Sequence, residues 1–93
     1  MFCGMAVSTP QQGDEEKLVR AATEHAAALR RQPGCIAAYV LTERGGTSQV
    51  SISIFETERA FNQALEATRP VIAKHNLERI LEGPSTFQVF DVR

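Results

Sequence analysis

The chain is poor in the residues and runs that mark several common classes of protein. It contains no tryptophan, one tyrosine and two cysteines in 93 residues. Cys3 and Cys35 stand too far apart in sequence for a redox pair or a zinc-binding pattern, so reduced thiols and a cytoplasmic location are expected. No segment approaches the roughly 20 apolar residues of a membrane helix, and the first residues lack the positive charge of a signal peptide. We therefore predict no metal site and no membrane partner.

An excess of charge of one sign is also missing. The net charge is -1 and 6% of the residues are aromatic, without basic clusters, so nucleic acid is not an expected partner. The patterns of kinases, nicotinamide-dependent dehydrogenases and serine hydrolases are absent as well. What remains is one domain, residues 1–93, of which 43% are hydrophobic. A chain this short buries only about 60–65% of its unfolded surface, so self-association is expected.

The spacing of apolar residues predicts a strand, a helix, two strands, a helix and a strand. The predicted bounds are Phe2–Ser8, 15–31, Cys35–Thr42, Gln49–Phe55, 58–81 and 86–92. The segment Gln49–Phe55 alternates apolar and polar residues with period two, which is typical of a half-buried strand. Pro70 falls inside the second helical pattern, so we expect a kink or a break near Thr68.

Two glycine-containing segments are predicted to end elements. Pro33-Gly34 stops the first helix, and Cys35 then packs as a small apolar residue of the next strand rather than acting as a reactive thiol. Gly45-Gly46 is predicted to be a two-residue hairpin turn. With that turn, the numbers of paired residues sum to 91, so Tyr39 lies opposite Ile52.

Both faces of the predicted hairpin are largely apolar, yet one layer of helices covers only one face. A second copy of the same sheet is the simplest cover for the other face. The order of elements is that of an α+β, ferredoxin-like βαββαβ fold with an antiparallel four-stranded sheet. The strands of this fold lie in the order four, one, three, two, which keeps Cys3 and Cys35 too far apart for a disulfide.

The sequence resembles the antibiotic biosynthesis monooxygenase family over nearly its whole length. The resemblance rests on Gln-Pro-Gly-Cys at residues 32–35, on Ser-Ile-Phe-Glu-Thr at residues 53–57, and on the helix that opens with Glu-Arg-Ala-Phe at residues 58–61. The family often has tryptophan where Phe55 stands. The resemblance implies a homodimeric α+β barrel with a ligand cavity between the sheet and the helices of each subunit.

Two histidines and one tyrosine are the candidates for chemistry. His75 follows the apolar stripe of the second helix and is the candidate general base or, alternatively, an axial haem ligand. Tyr39 is the candidate hydrogen-bond donor to a phenolate or quinone oxygen. His25 borders the apolar face of the first helix, where it is a candidate ligand-binding residue. Each of the three also has a purely structural interpretation, as a hydrogen-bonded residue at the edge of the core.

Four further residues are predicted to line the ligand cavity. Phe55 and Phe61 supply apolar wall, or else belong to the core. Ser51 and Ser53 are unremarkable if their sheet face is exposed, but on a covered face their hydroxyls need partners or a polar ligand.

Three functions follow from the resemblance and these residues. The leading hypothesis is a homodimer that binds a planar apolar or aromatic molecule and oxygenates electron-rich phenols or quinols without a cofactor. The first alternative is a protein that binds or degrades haem. The second is a non-catalytic module for ligand binding or dimerisation.

Overall fold

The computed structural model describes all residues from Met1 to Arg93. Four strands and three helices follow one another in the order that the sequence predicts, and the second helical segment is divided in two. The elements are β1 (Phe2–Ser8), α1 (Glu15–Arg30), β2 (Cys35–Thr42), β3 (Gln49–Phe55), α2 (Glu58–Ala73), α3 (Leu77–Ile80) and β4 (Thr86–Asp91). None of these helices is long and apolar enough to cross a membrane.

The four strands form one antiparallel sheet in the order β2-β3-β1-β4, which confirms the predicted topology. Tyr39 pairs with Ile52, as the hairpin register predicts. A β-bulge between Cys35 and Ala37 shifts the register at the far end, so that Cys35 rather than Ile36 pairs with Phe55. The two cysteines are free, as expected from the strand order.

The hairpin turn is longer than predicted. Glu43 N–H donates to the carbonyl of Ser48 (2.9 Å), so the loop between these two residues spans residues 44–47. Within the loop, Gly46 N–H donates to the carbonyl of Glu43 (3.2 Å). Gly45 has a positive φ of 78°, whereas Gly46 does not. The register survives because lengthening the turn by one residue on each side leaves the sums of paired residue numbers unchanged.

The segment after α1 is built as the sequence predicts. Gly34 has a φ of 82°, a conformation that glycine adopts without a steric penalty. Cys35 is half-buried against the core, and burial raises the pKa of its thiol. The thiol is therefore protonated near neutral pH, which fits a packing role and not a reactive one.

The second helical segment breaks later than predicted. Pro70 lies within α2, which continues to Ala73, and the break falls at Asn76, which has a left-handed φ of 49°. Pro70 itself is exposed and lies in the last turn of α2, where it has no N–H to donate to the carbonyl four residues earlier. His75 lies between the end of α2 and this break.

The two faces of the sheet have different environments. The helices cover the face that carries Phe2, Ala38 and Phe55, which are buried together with Ala26, Leu29, Phe61 and Ala64 in one apolar cluster. The outer face carries Tyr39, Leu41 and Phe90, whose exposed fractions are 55%, 47% and 46%. One chain therefore leaves an apolar sheet face without a cover, as the sequence predicts.

Candidate functional site

A cavity of about 350 Å³ lies between the sheet and the two long helices. Sixteen of its 24 lining residues are hydrophobic, which is the character of a small-molecule site. β1 and β3 contribute Gly4, Ala6, Ser51 and Ser53; α1 contributes Leu18, Ala22, His25 and Leu29; α2 contributes Phe61, Leu65, Arg69 and Ile72. Phe87 of β4 borders the cavity and is 71% exposed, so the cavity is open to solvent on that side.

The end of the cavity beside the core is set by a close contact between β1 and α2. Phe61 packs against Phe2, with 5.0 Å between ring centroids, and against Phe55 in an edge-to-face arrangement at 5.7 Å. Gly4 lies beneath the Phe61 ring, where a Cβ atom would stand 2.5 Å from Cζ. Only glycine leaves room for the ring at this position. Phe61 thus closes one end of the cavity, whereas Phe55 is fully buried in the core and does not line it.

His25 is the histidine on the cavity wall. It extends from α1, and its Nε2 atom lies 2.9 Å from Oγ1 of Thr68 on α2. Burial lowers the pKa of the imidazole below its ordinary value of 6.5. The ring is therefore neutral at pH 7 and able to accept a proton.

His75 lies outside the cavity. Its Nε2 atom is 2.9 Å from Oε2 of Glu24, and Lys74 forms an ion pair with the other oxygen of the same carboxylate. The Lys74 ammonium is the main cause of the lowered pKa of Glu24, to which His75 also contributes. This cluster ties the end of α2 to α1, and it is absent from the residues that line the cavity.

Ser51 and Ser53 bring two hydroxyls to the cavity floor. Both lie on the helix-facing side of β3, opposite Ala6 and Gly4 of β1. Neither hydroxyl bonds to a protein group. Every fully buried side-chain oxygen and nitrogen of the protein has a hydrogen-bond partner, so neither of these hydroxyls is fully buried. Both hydroxyls are consequently open to the cavity rather than sealed in the core.

Tyr39 borders the same cavity, but its ring has a different environment. Neighbouring residues of a strand point to opposite faces, and Ala38 is the residue that faces the helices. The ring of Tyr39 is therefore on the outer sheet face, where it is 55% exposed.

A model of the antibiotic biosynthesis monooxygenase family matches residues 1–69 of the 93 residues. The chain belongs to the antibiotic biosynthesis monooxygenase family. The match includes β1, α1, the hairpin and α2 as far as Arg69, so it contains His25 and both serines of the cavity floor. No curated protein matches the sequence.

Solved structures extend the likeness of this family member to its last strand. SnoaB of Streptomyces nogalater, described as a cofactor-independent oxygenase, is 25% identical with a TM-score of 0.79, over 99% of this chain and 92% of that one. A Mycobacterium tuberculosis protein is 14% identical with a TM-score of 0.87, over 99% and 94% of the two chains. A Pseudomonas aeruginosa protein is 17% identical with a TM-score of 0.83, over 96% and 90%. The last two likenesses show the fold alone.

Sequence reasoning did not identify Gly4, Arg69 and Thr68 as parts of the site. Gly4 and Arg69 line the cavity, but neither position carries a local signal that separates it from an ordinary strand or surface residue. Thr68 did carry one, because a hydroxyl within an apolar helical stripe needs a hydrogen-bond partner once it is buried.

Proposed function

We propose that this family member is a cofactor-independent monooxygenase of planar, electron-rich phenols or quinols. The observation that carries the proposal is a half-buried, neutral imidazole, His25, on the wall of an apolar cavity. Removal of a phenolic proton needs a base of this kind. The likeness to SnoaB supports the class of reaction.

In the proposed reaction the substrate is the electron donor and molecular oxygen is the oxidant. His25 accepts the proton of the substrate hydroxyl, and the resulting phenolate gives an electron to oxygen. The phenoxyl radical and superoxide then combine into a peroxide on a ring carbon, and cleavage of its O–O bond releases water and leaves a quinone, so that the substrate supplies all the electrons. The hydroxyls of Ser51 and Ser53 donate hydrogen bonds to the phenolate oxygen. Such bonds stabilise charge more strongly in an apolar cavity than in water.

These assignments differ from the leading ones made on the sequence. His25 replaces His75 as the proposed base, because His75 is held by Glu24 outside the cavity. Ser51 and Ser53 replace Tyr39 as proposed donors, because the Tyr39 ring belongs to the outer sheet face. Phe61 keeps its proposed role as an apolar wall against the substrate ring, and Phe55 is assigned to the core.

We further propose that the chain functions as a homodimer in which two outer sheet faces pack together. The exposed side chains of Tyr39, Leu41 and Phe90 support this arrangement, since apolar area of this kind is normally covered by a partner. A small aromatic molecule remains the proposed ligand, and a cytoplasmic location remains a prediction.

Oxygen uptake tests the proposal directly. Purified, metal-free protein is mixed with a panel of polycyclic phenols and hydroquinones, beside His25→Gln as the matched variant. We expect the wild type to consume oxygen faster than the uncatalysed reaction. His25→Gln should lower this catalysed rate by about 100-fold or more. Uptake that is equal in the two proteins would show that His25 is not the base.

Each of the two alternative functions has its own test. Calorimetric binding of a phenol without any oxygen uptake would indicate a ligand-binding module. A Soret shift on titration with haemin would favour haem binding. His75, the candidate axial ligand, does not line the cavity, so the structure does not support the haem alternative through that residue.

A further inference from the structure

We infer that Thr68 is a positioning residue that fixes the tautomer of His25, so that Nδ1 is the atom that accepts a proton in the cavity. The inference rests on the proposed function for its catalytic consequence. The tautomer itself is a property of the protein without ligand, so it is measurable independently.

The first step concerns the single proton of the Thr68 hydroxyl. Thr68 is 1% exposed, and its Oγ1 lies 2.8 Å from the backbone carbonyl oxygen of Ala64. A carbonyl oxygen only accepts hydrogen bonds, and a hydroxyl has one proton to donate. The Thr68 proton is therefore committed to Ala64, one turn earlier in α2.

The second step concerns His25. Its Nε2 atom lies 2.9 Å from Thr68 Oγ1. Because the hydroxyl donates elsewhere, its oxygen acts as the acceptor here, and Nε2 must carry a hydrogen. A neutral imidazole carries only one ring hydrogen, so Nδ1 has a free lone pair.

The third step concerns access to Nδ1. This atom has no hydrogen-bond partner in the protein. Every fully buried side-chain nitrogen and oxygen does have one, so Nδ1 is not fully buried. Nδ1 is therefore not sealed, and His25 borders the cavity. A ligand hydroxyl that enters the cavity finds an acceptor nitrogen there, whereas Thr68 acts only through His25 and does not line the cavity.

Nitrogen-detected NMR of the ligand-free protein tests the tautomer. The chain has only two histidines, and His25→Gln identifies the signals that belong to position 25. Above about pH 7 an imidazole is mostly neutral. There the couplings between the ring carbon-bound protons and the ring nitrogens of His25 should show a single tautomer in the wild type, with the hydrogen on Nε2. Thr68→Val should populate both tautomers, and Thr68→Ser, which keeps the hydroxyl, should restore the single one.

Two results would overturn the inference. One is hydrogen on Nδ1 in the wild type, and the other is an unchanged tautomer in Thr68→Val. Should Thr68→Val fail to fold, Thr68→Ala removes the same hydroxyl in a smaller side chain, and the wild-type spectrum alone still decides which nitrogen is protonated.

The activity arm separates this inference from the proposed function. In oxygen uptake, Thr68→Val should lower kcat at least about tenfold and Thr68→Ser should recover most of the loss, as expected for tautomer control. A changed tautomer in a protein that oxygenates no phenol would leave the inference standing and count against the proposed function. If activity depends on His25 but Thr68→Val changes neither the tautomer nor kcat, the proposed function stands and the inference about Thr68 is wrong.

Discussion

Gly4 of β1 and Phe61 of α2 are in such close contact that no side chain fits between them. A Cβ atom at position 4 would lie 2.5 Å from Cζ of Phe61. Phe61 in turn packs on Phe2 and Phe55, so the ring has little freedom to retreat into the core. The strand backbone and this one ring together determine where the core ends and the cavity begins.

Gly4→Ala should therefore act on both stability and the cavity. Overpacking of this kind costs about 1–3 kcal/mol of unfolding free energy, measured by urea unfolding, and it pushes the Phe61 ring toward the ligand. Gly83→Ala is the matched control, because nothing lies within 4 Å of a Cβ atom there. Equal stability of the two variants would contradict the contact described here.

The two histidines should differ sharply in their effect on catalysis. We expect His25→Gln to lower kcat in oxygen uptake by about 100-fold or more, and His75→Gln to change it by less than about threefold, because only a base within reach of the substrate takes part in proton transfer. Steady-state rates on one phenol measure both. A larger loss in His75→Gln would return the role of base to His75.

Stability should decrease as the pH falls below the ordinary pKa of histidine. Burial lowers the pKa of His25 from its ordinary value of 6.5 in the folded chain. Between these two pKa values the unfolded chain binds more protons, so the unfolding free energy decreases as the pH falls through this window. Urea unfolding at several pH values between about 5 and 7.5 should show a shallower pH dependence in His25→Gln than in the wild type.

The same series in Gly83→Ala, which changes no titratable group and no packing, is the control for that measurement. The lowered pKa of Glu24 affects stability only as the pH falls below its ordinary value of 4.5, outside this range. An identical slope in His25→Gln and wild type would show that His25 titrates normally in the folded chain.

Ser53→Ala should weaken ligand binding without destabilising the fold. Its hydroxyl has no protein partner to lose, whereas a bound phenol or quinone would lose one hydrogen bond, worth about 0.5–1.5 kcal/mol. Isothermal calorimetry with a hydroxyanthraquinone should show a Kd increased up to about tenfold. Ser48→Ala, whose hydroxyl bonds Thr9 at 3.2 Å outside the cavity, should leave Kd unchanged.

Leu41→Glu should produce a monomer. Leu41 is 47% exposed on the outer sheet face, and burial of a carboxylate between two such faces without a counter-charge is strongly unfavourable. Sedimentation velocity of the variant and the wild type measures the change. Val19→Glu, on α1 and 38% exposed, is the control and should keep the wild-type assembly. A monomeric wild type would refute the proposed dimer.

Local patterns in the sequence determined most of the architecture. The alternation in Gln49–Phe55 placed Ser51, Ser53 and Phe55 on one face, and the structure shows that this face is the one under the helices. Pro33-Gly34 ended the first helix where expected. Even the hairpin register was correct with the wrong turn length, because register depends on the centre of the turn and not on the number of residues in it.

Only the tertiary structure decided which histidine faces the cavity and which face carries Tyr39. Both His25 and His75 border apolar stripes, and a rotation of about 100° per residue separates a cavity wall from a helix edge. The contacts of Glu24 with Lys74 and His75 hold His75 outside the cavity. These contacts join residues some 50 positions apart in sequence (51 for Glu24 and His75), so no local pattern contains them, and the packing of α2 on α1 is what sets them.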